Sequence, residues 1–379
     1  MAKLPSATDD WFGKAFSRAW KDKAEEIGRF NLAIFGKTGV GKSTLVNAIF
    51  GTEIAATGIG APVTRAEHLY LHQSGTLGVL DTRGLEVGRD NAALIAELED
   101  YLRDMRRKPL ADQIHVAWYC VRSGDRRFED TEADFIRALH GLGLPVILVL
   151  TQVPRSGDRV HPDAEALAAR IADLGLPIAD GLIHYTMALE DEFSGQTAYG
   201  LQEVLDATFR GAPDGVAHAL TAAQTIDFQR KRDRAEAAIK LATGAATTAG
   251  ASPIPFSDAA ILVPLQLTMM ASIAVTYGIS IERSTAASMA ATAAATTMGR
   301  SLVGNLIKFV PGAGTAVAGG INATIAGTFT FAMGQAWLRV CERLARGDLR
   351  TVGGALDSDS IHRLFIQEFK SQASRRRTA

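Results

Sequence analysis

The run Phe30-Asn31-Leu32-Ala33-Ile34-Phe35 passes directly into Gly36-Lys37-Thr38-Gly39-Val40-Gly41-Lys42-Ser43, and then into the helix-forming stretch Thr44 to Phe50. The loop fits G-x-x-x-x-G-K-[ST] in the context that gives this spacing its meaning, a strand before it and a helix after it. Without a Cβ, glycine allows positive φ and close approach, so backbone N–H groups can turn inward around an anion at a helix N-terminus. Residues Gly36, Lys37, Thr38, Gly39, Val40, Gly41, Lys42, Ser43 and Thr44 are therefore read as a phosphate cradle. Lys42 offers a point charge to the β and γ phosphates, and Ser43 offers a hydroxyl to Mg2+. A nucleoside triphosphate site on an α/β fold is the expectation.

Downstream elements refine it. Leu77 to Leu80 is a second apolar run, ending in Asp81-Thr82-Arg83-Gly84. An Asp at a strand end beside the loop can hold Mg2+ through water, and the Gly84 amide can sense a γ-phosphate because no side chain obstructs it. Between these motifs, Gly58 to Arg65 forms a loop whose Thr64 is the residue expected to close on Mg2+. Ser43, Thr64 and Asp81 make the expected metal set, with Lys42, Thr64 and Gly84 nearest the chemistry. The apolar run Val146 to Leu150 leads into Thr151-Gln152-Val153-Pro154, where a guanine reader would carry Asn/Thr-Lys-x-Asp.

The runs GKTGVGKSTLVNAIFG, PVT and DTRG resemble the septin-like and Era/TrmE-like GTPases of the translation-factor class. The resemblance covers roughly residues 30 to 210. It implies a Ras-like, six-stranded, mostly parallel sheet with flanking helices, GTP or GDP as ligand, Mg2+, and hydrolysis of GTP to GDP and phosphate. It also places Thr151 and Gln152 beside the base, together with Met187 and Ala188 in a loop whose backbone approaches it. Leu85 stands where Ras-like enzymes carry the Gln that orients water, and Gly39 where potassium-activated relatives have Asn. Slow intrinsic turnover, accelerated by homodimerisation through the G domain or by a protein partner, is the implied behaviour. Pro154 removes the carboxylate that reads guanine; Asp158 can replace it only if residues 155–157 fold back. Adenine selectivity therefore stays open.

Composition shifts along the chain. Residues 9–27 read as a helix with Trp11, Phe12, Phe16 and Trp20 on an aromatic stripe, packed on its own domain or lying on a membrane surface. Val216 to Lys240 reads as one charged helix, with Arg230-Lys231-Arg232-Asp233-Arg234 on a solvated face or against anionic lipid. Beyond it the chain is rich in Ala, Gly and Thr. Between Asp258 and Glu282 lie 23 uncharged residues and between Lys308 and Arg339 another 30, against the roughly 20 that a bilayer span needs. A membrane hairpin and a buried helical bundle both fit. Gly320, Gly327 and Gly334 recur every seven residues as a small-residue seam. This half resembles the uncharacterised helical domain of YcjF-like bacterial inner-membrane proteins.

The organisation expected is an N-terminal amphipathic helix over 1–29, a G domain over 30–212, an all-α domain over 213–348 and a C-terminal helix with a basic tail over 349–379. No secretory signal is read, and the two cysteines make no disulfide framework. The expected location is the cytoplasm, at or in the inner membrane. Lys and Arg (40) nearly balance Asp and Glu (41), which gives no pull toward nucleic acid. Three readings follow: a slow regulatory GTPase coupled to a membrane or partner, a nucleotide-locked scaffold, and an ATP-using P-loop protein.

Overall fold

The computed structural model describes residues 7–51, 69–72, 74–81, 91–250, 257–288, 318–351 and 354–375. It divides into two compact units, Ile27–Asp227 and the pairing of Met1–Glu26 with Phe228–Ala379.

The first unit is built on strands β1 (Phe30–Phe35), β2 (Leu69–Leu71), β3 (Leu77–Asp81), β4 (Val116–Arg122), β5 (Val146–Thr151) and β8 (Ile183–Tyr185). Their order across the sheet is β2-β3-β1-β4-β5-β8, with only β2 antiparallel to its neighbour. β1 and β5 are buried along their whole length, as expected of parallel strands covered on both faces. Alternation along β4 assigns the two faces. Tyr119 packs with Phe35 and Phe135 of helix α4 (Asp130–Gly141), whereas Trp118 stacks on Phe50 of helix α2 (Lys42–Phe50). The Trp118 indole N–H donates to Thr208 Oγ1 at 3.0 Å, on helix α6 (Leu201–Gly211). A small hairpin, β6 (Arg155–Ser156) with β7 (Arg159–Val160), follows β5. Helices α3 (Asn91–Met105) and α5 (Pro162–Ala172) complete the flanks.

At the end of the sheet opposite the glycine loop, His115 accepts the Asn31 N–H through Nδ1 at 2.9 Å, and its Nε2 lies 2.8 Å from Leu110 O. That pairing is satisfied only by the neutral ring protonated at Nε2. Burial dominates in holding the His115 pKa below the ordinary histidine value.

The sequence predicts a charged helical stretch over Val216 to Lys240. The structure breaks it into α7 (Ala217–Ala223) and α8 (Phe228–Gly250). The cause is Gln224, fully buried, whose Oε1 accepts the N–H groups of Ile226 and Asp227 while its Nε2 donates to Asp227 O. One side chain thus satisfies the backbone of a turn.

In the second unit, α8, α9 (Ser257–Thr276), α10 (Ala318–Arg346) and α11 (Ser358–Arg375) pack as a bundle. Helix α1 (Ala7–Ile27) belongs to it: Phe16 is fully buried edge-on against Trp337, while Trp11 stays exposed. Among the described residues no helix is long and apolar enough to cross a membrane. The basic run also departs from a simple solvated face. Lys231 is buried and its ammonium donates to Thr276 O, a terminal carbonyl of α9, at 2.9 Å. Arg232 forks onto Glu342 at 2.8 and 2.7 Å. Gly327 and Gly334 let α10 approach α8 closely: a Cβ would meet Thr247 Oγ1 at 2.3 Å in the first case and Ile239 Cγ1 at 2.8 Å in the second. Gly320 lies among residues whose side-chain surroundings are not described.

Two outcomes test these packings. Gly334→Leu must push against Ile239 and Met269, and is expected to cost about 1–3 kcal/mol, read as a lower Tm. For His115 the folded pKa is depressed, so its contribution is complete above the unfolded value near 6.5 and is lost as pH falls through the folded value. Denaturant melts should show the loss on acidification below about pH 6.5, and His115→Gln should flatten it.

Candidate functional site

The C-terminal ends of β1, β3, β4 and β5 converge on the glycine loop, since these strands run parallel and in adjacent positions. Three loop glycines adopt positive φ: Gly36 at 130°, Gly39 at 80° and Gly41 at 94°. A Cβ on Gly36 would lie 2.2 Å from Cys120 O, so the first turn presses against β4. A Cβ on Gly39 would meet nothing within 4 Å, which leaves that side of the loop open. Gly41 caps α2 in the left-handed region, placing Lys42, Ser43 and Thr44 in its first turn. The Lys42 ammonium donates to Gly36 O at 2.7 Å and Lys37 O at 2.9 Å, folded onto its own loop.

Two flanks hold the loop. On the β5 side, Thr151 Oγ1 donates to Val40 O, with Val121 O at 3.2 Å as a second acceptor. Gln152 has positive φ (53°), and its Nε2 donates to Gly39 O at 3.3 Å; Ser123 Oγ anchors the Gln152 carbonyl at 2.9 Å. On the other side, the Lys37 ammonium lies 3.2 Å from both Glu129 and Glu132. Glu132, buried at the start of α4, also accepts the Tyr119 hydroxyl at 3.3 Å and the Glu129 N–H at 2.9 Å. Burial works to lower the Lys37 pKa, but Glu132 and Glu129 outweigh it and hold the pKa above the ordinary lysine value. The sequence reading placed Lys37 in the cradle and missed these carboxylates. Their only local signal is Glu three residues after Glu at the head of an amphipathic helix.

Asp81 ends β3 in register with Ile34, two residues before Gly36. Thr64 and Gly84 lie outside the described residues. Met187 and Ala188 follow β8, and Met187 exchanges backbone hydrogen bonds with Tyr199. This loop is fastened to the segment after β5: Val153 N–H donates to Thr186 O at 3.0 Å, and Tyr199 hydroxyl to Val153 O at 3.0 Å. The Arg155 guanidinium sits 4.1 Å from the Tyr199 ring centroid. Asp158 occupies the exposed turn between β6 and β7, after Gly157 at φ 60°.

Loop, helix cap and β3 terminus together describe a phosphate-binding strand–loop–helix unit. Residues 31–152 match the family model described as 50S ribosome-binding GTPase. These residues form a P-loop GTPase G domain. The chain is also similar to three solved structures. Elongation factor SelB from Methanococcus maripaludis, apo form, shows 17% identity and a TM-score of 0.30 over 46% of this chain, and only 33% of the SelB chain is spanned. Era from Aquifex aeolicus, in a variant bound to GDP and AlF4-, shows 19% identity and a TM-score of 0.35, covering 61% of this chain and 70% of that one. A dimerization-deficient mutant of Toc33 from Arabidopsis thaliana shows 17% identity and a TM-score of 0.32, covering 57% of this chain and 93% of that one.

Inside the G domain, Cys120 is fully buried beneath the loop, and burial pushes its thiol up to about 12 against the opposing pull of Lys42. Cys341 of the helical unit is raised likewise by burial. Neither thiol should react with a thiol-specific reagent at pH 8 in the native protein, and both should react after unfolding.

Proposed function

We propose that this chain is a GTP-binding protein and slow GTPase, in which nucleotide state is coupled to the helical unit. The observation that carries the reading is the glycine loop, open at Gly39 and held between Thr151 and Lys37, at the head of α2. Backbone N–H groups of residues 39–44 would bind the phosphates. Lys42 would leave the Gly36 and Lys37 carbonyls to take the β and γ oxygens. GTP or GDP would bring Mg2+, whose role is to draw charge from the phosphates. Ser43, Asp81 and Thr64 would supply the hard oxygen donors such a cation prefers; for Asp81 the support is the β1–β3 register, which sets it beside Ile34.

Coupling to the helical unit is supported by the path of the chain. Thr225 N–H and Oγ1 both donate to Ile49 O, at 2.8 and 3.1 Å, so the segment leading toward α8 is tied to the end of the phosphate-loop helix. A movement of α2 is thereby transmitted to the exit from the G domain. A membrane surface or a protein partner is the proposed receiver, with homodimerisation through the G domain as the proposed activator.

A second reading is favoured by one observation. With Pro154 in the carboxylate position and Asp158 exposed on a hairpin turn, base selectivity is relaxed toward other purine triphosphates.

The two readings separate in one competition assay with GTP, ATP and xanthosine triphosphate. A GTPase should prefer GTP, lose binding in Lys42→Ala, and lose hydrolysis in Ser43→Ala. Comparable competition by all three nucleotides favours the relaxed reading, and binding without phosphate release over hours favours a nucleotide-locked scaffold. Pelleting with anionic liposomes should differ between the GTP and GDP forms; equal pelleting removes the membrane coupling.

A further inference from the structure

Glu132 is a carboxylate with 2% side-chain exposure and no part in the chemistry above. Such a group is costly to bury unless every lone pair is answered. Here three donors answer it: the Lys37 ammonium at 3.2 Å, the Tyr119 hydroxyl at 3.3 Å and the Glu129 N–H at 2.9 Å. The second carboxylate on Lys37, Glu129, is partly exposed and lies 3.2 Å away. Lys37 is the first residue after Gly36, and its carbonyl is one of the two that hold Lys42. A single residue thus faces α4 through its side chain and Lys42 through its backbone.

We infer that Glu132 is a positioning residue for the phosphate loop: through Lys37 it fixes the first turn of the loop, and the Lys37 ammonium is a strut of the site and not a phosphate ligand. The inference rests on the nucleotide-binding reading above. Geometry separates the two lysines of the loop. Lys37 is held by two carboxylates, which compete with phosphate on equal charge, whereas Lys42 reaches back to the loop's own carbonyls at Gly36 and Lys37. The loop is then pinned at both shoulders, by Thr151 on Val40 and by Glu132 on Lys37, with the open side at Gly39 between them.

The test uses the full chain with equilibrium binding of labelled GTP and GDP, turnover as a function of GTP concentration, and thermal melts. Glu132→Gln and Lys37→Met should each weaken both nucleotides by about tenfold, the scale seen when a group orienting a binding residue is removed. The KM for GTP should rise in step with the loss of binding. The double variant should bind no worse than either single one, because each removes the same strut. Lys37→Arg, which keeps the charge and the reach, should restore binding. Tyr119→Phe strips a hydrogen bond from the same carboxylate without touching Lys37, and should lower Tm without weakening nucleotide binding. Unchanged affinity in Glu132→Gln and Lys37→Met, additive losses in the double variant, or an equal loss in Tyr119→Phe would each overturn the inference. Failure of the unsubstituted protein to bind either nucleotide would instead reject the functional reading on which it rests.

Discussion

The phosphate loop depends on one steric fact: the Cys120 carbonyl occupies the space where a side chain at Gly36 would begin, 2.2 Å from an added Cβ. Because β4 is the parallel neighbour of β1, the loop must leave β1 by turning tightly over the β4 backbone. Only a glycine at φ 130° makes that turn without pushing the strands apart. The path then fixes the rest. It carries Lys37 toward the start of α4, brings Val40 beneath Thr151, and enters α2 through Gly41. The burial of Cys120 belongs to the same constraint, since the residue that supports the loop must be rigid.

The strands of the G domain and the loop itself were legible because their signals are local. Phe30–Phe35 is a compact β-type run that ends at Gly36, and its observed limits are the ones the sequence implies. The small-residue period of α10 was legible as a seam, and Gly327 and Gly334 show where it closes, against Thr247 and against Ile239 with Met269. What escaped was non-local. Glu132 is 95 residues from Lys37, and no property of either residue announces the other. The same holds for Lys231 and Thr276, and for Arg232 and Glu342. A run of basic residues reads as a solvated face until the partners that neutralise it are known. Gln224 escaped for a different reason: glutamine is an ordinary helix residue, and only its burial beside Ile226 and Asp227 turned its amide into a turn-forming group.

Arg232 and Glu342 also show why the helical unit need not be read as a membrane element on composition alone. Its uncharged stretches meet one another, with Trp337 donating to Met270 O and Gln266 to Thr330 Oγ1. Glu342, gathered by Arg232, Arg339 and Arg346, is partly desolvated, which would raise its pKa; the guanidiniums outweigh this and hold it below the ordinary range.

The segment after β5, where the sequence predicts base recognition, is fastened on several sides. Thr151 and Gln152 are both spent on the loop, through Val40 O and Gly39 O, and Val153 is tied to Thr186 and Tyr199. Arg155 stacks on Tyr199, and its backbone N–H donates to Gln196 Oε1. With its neighbours committed in this way, Pro154 cannot be compensated by sliding the backbone, and Asp158 is carried outward by the β6–β7 turn. Selectivity for a base would then have to come from side chains on the loop after β8 or from segments that close over the site. The loop of residues 36–44, by contrast, is braced on both flanks, by Thr151 on Val40 and by Glu132 on Lys37.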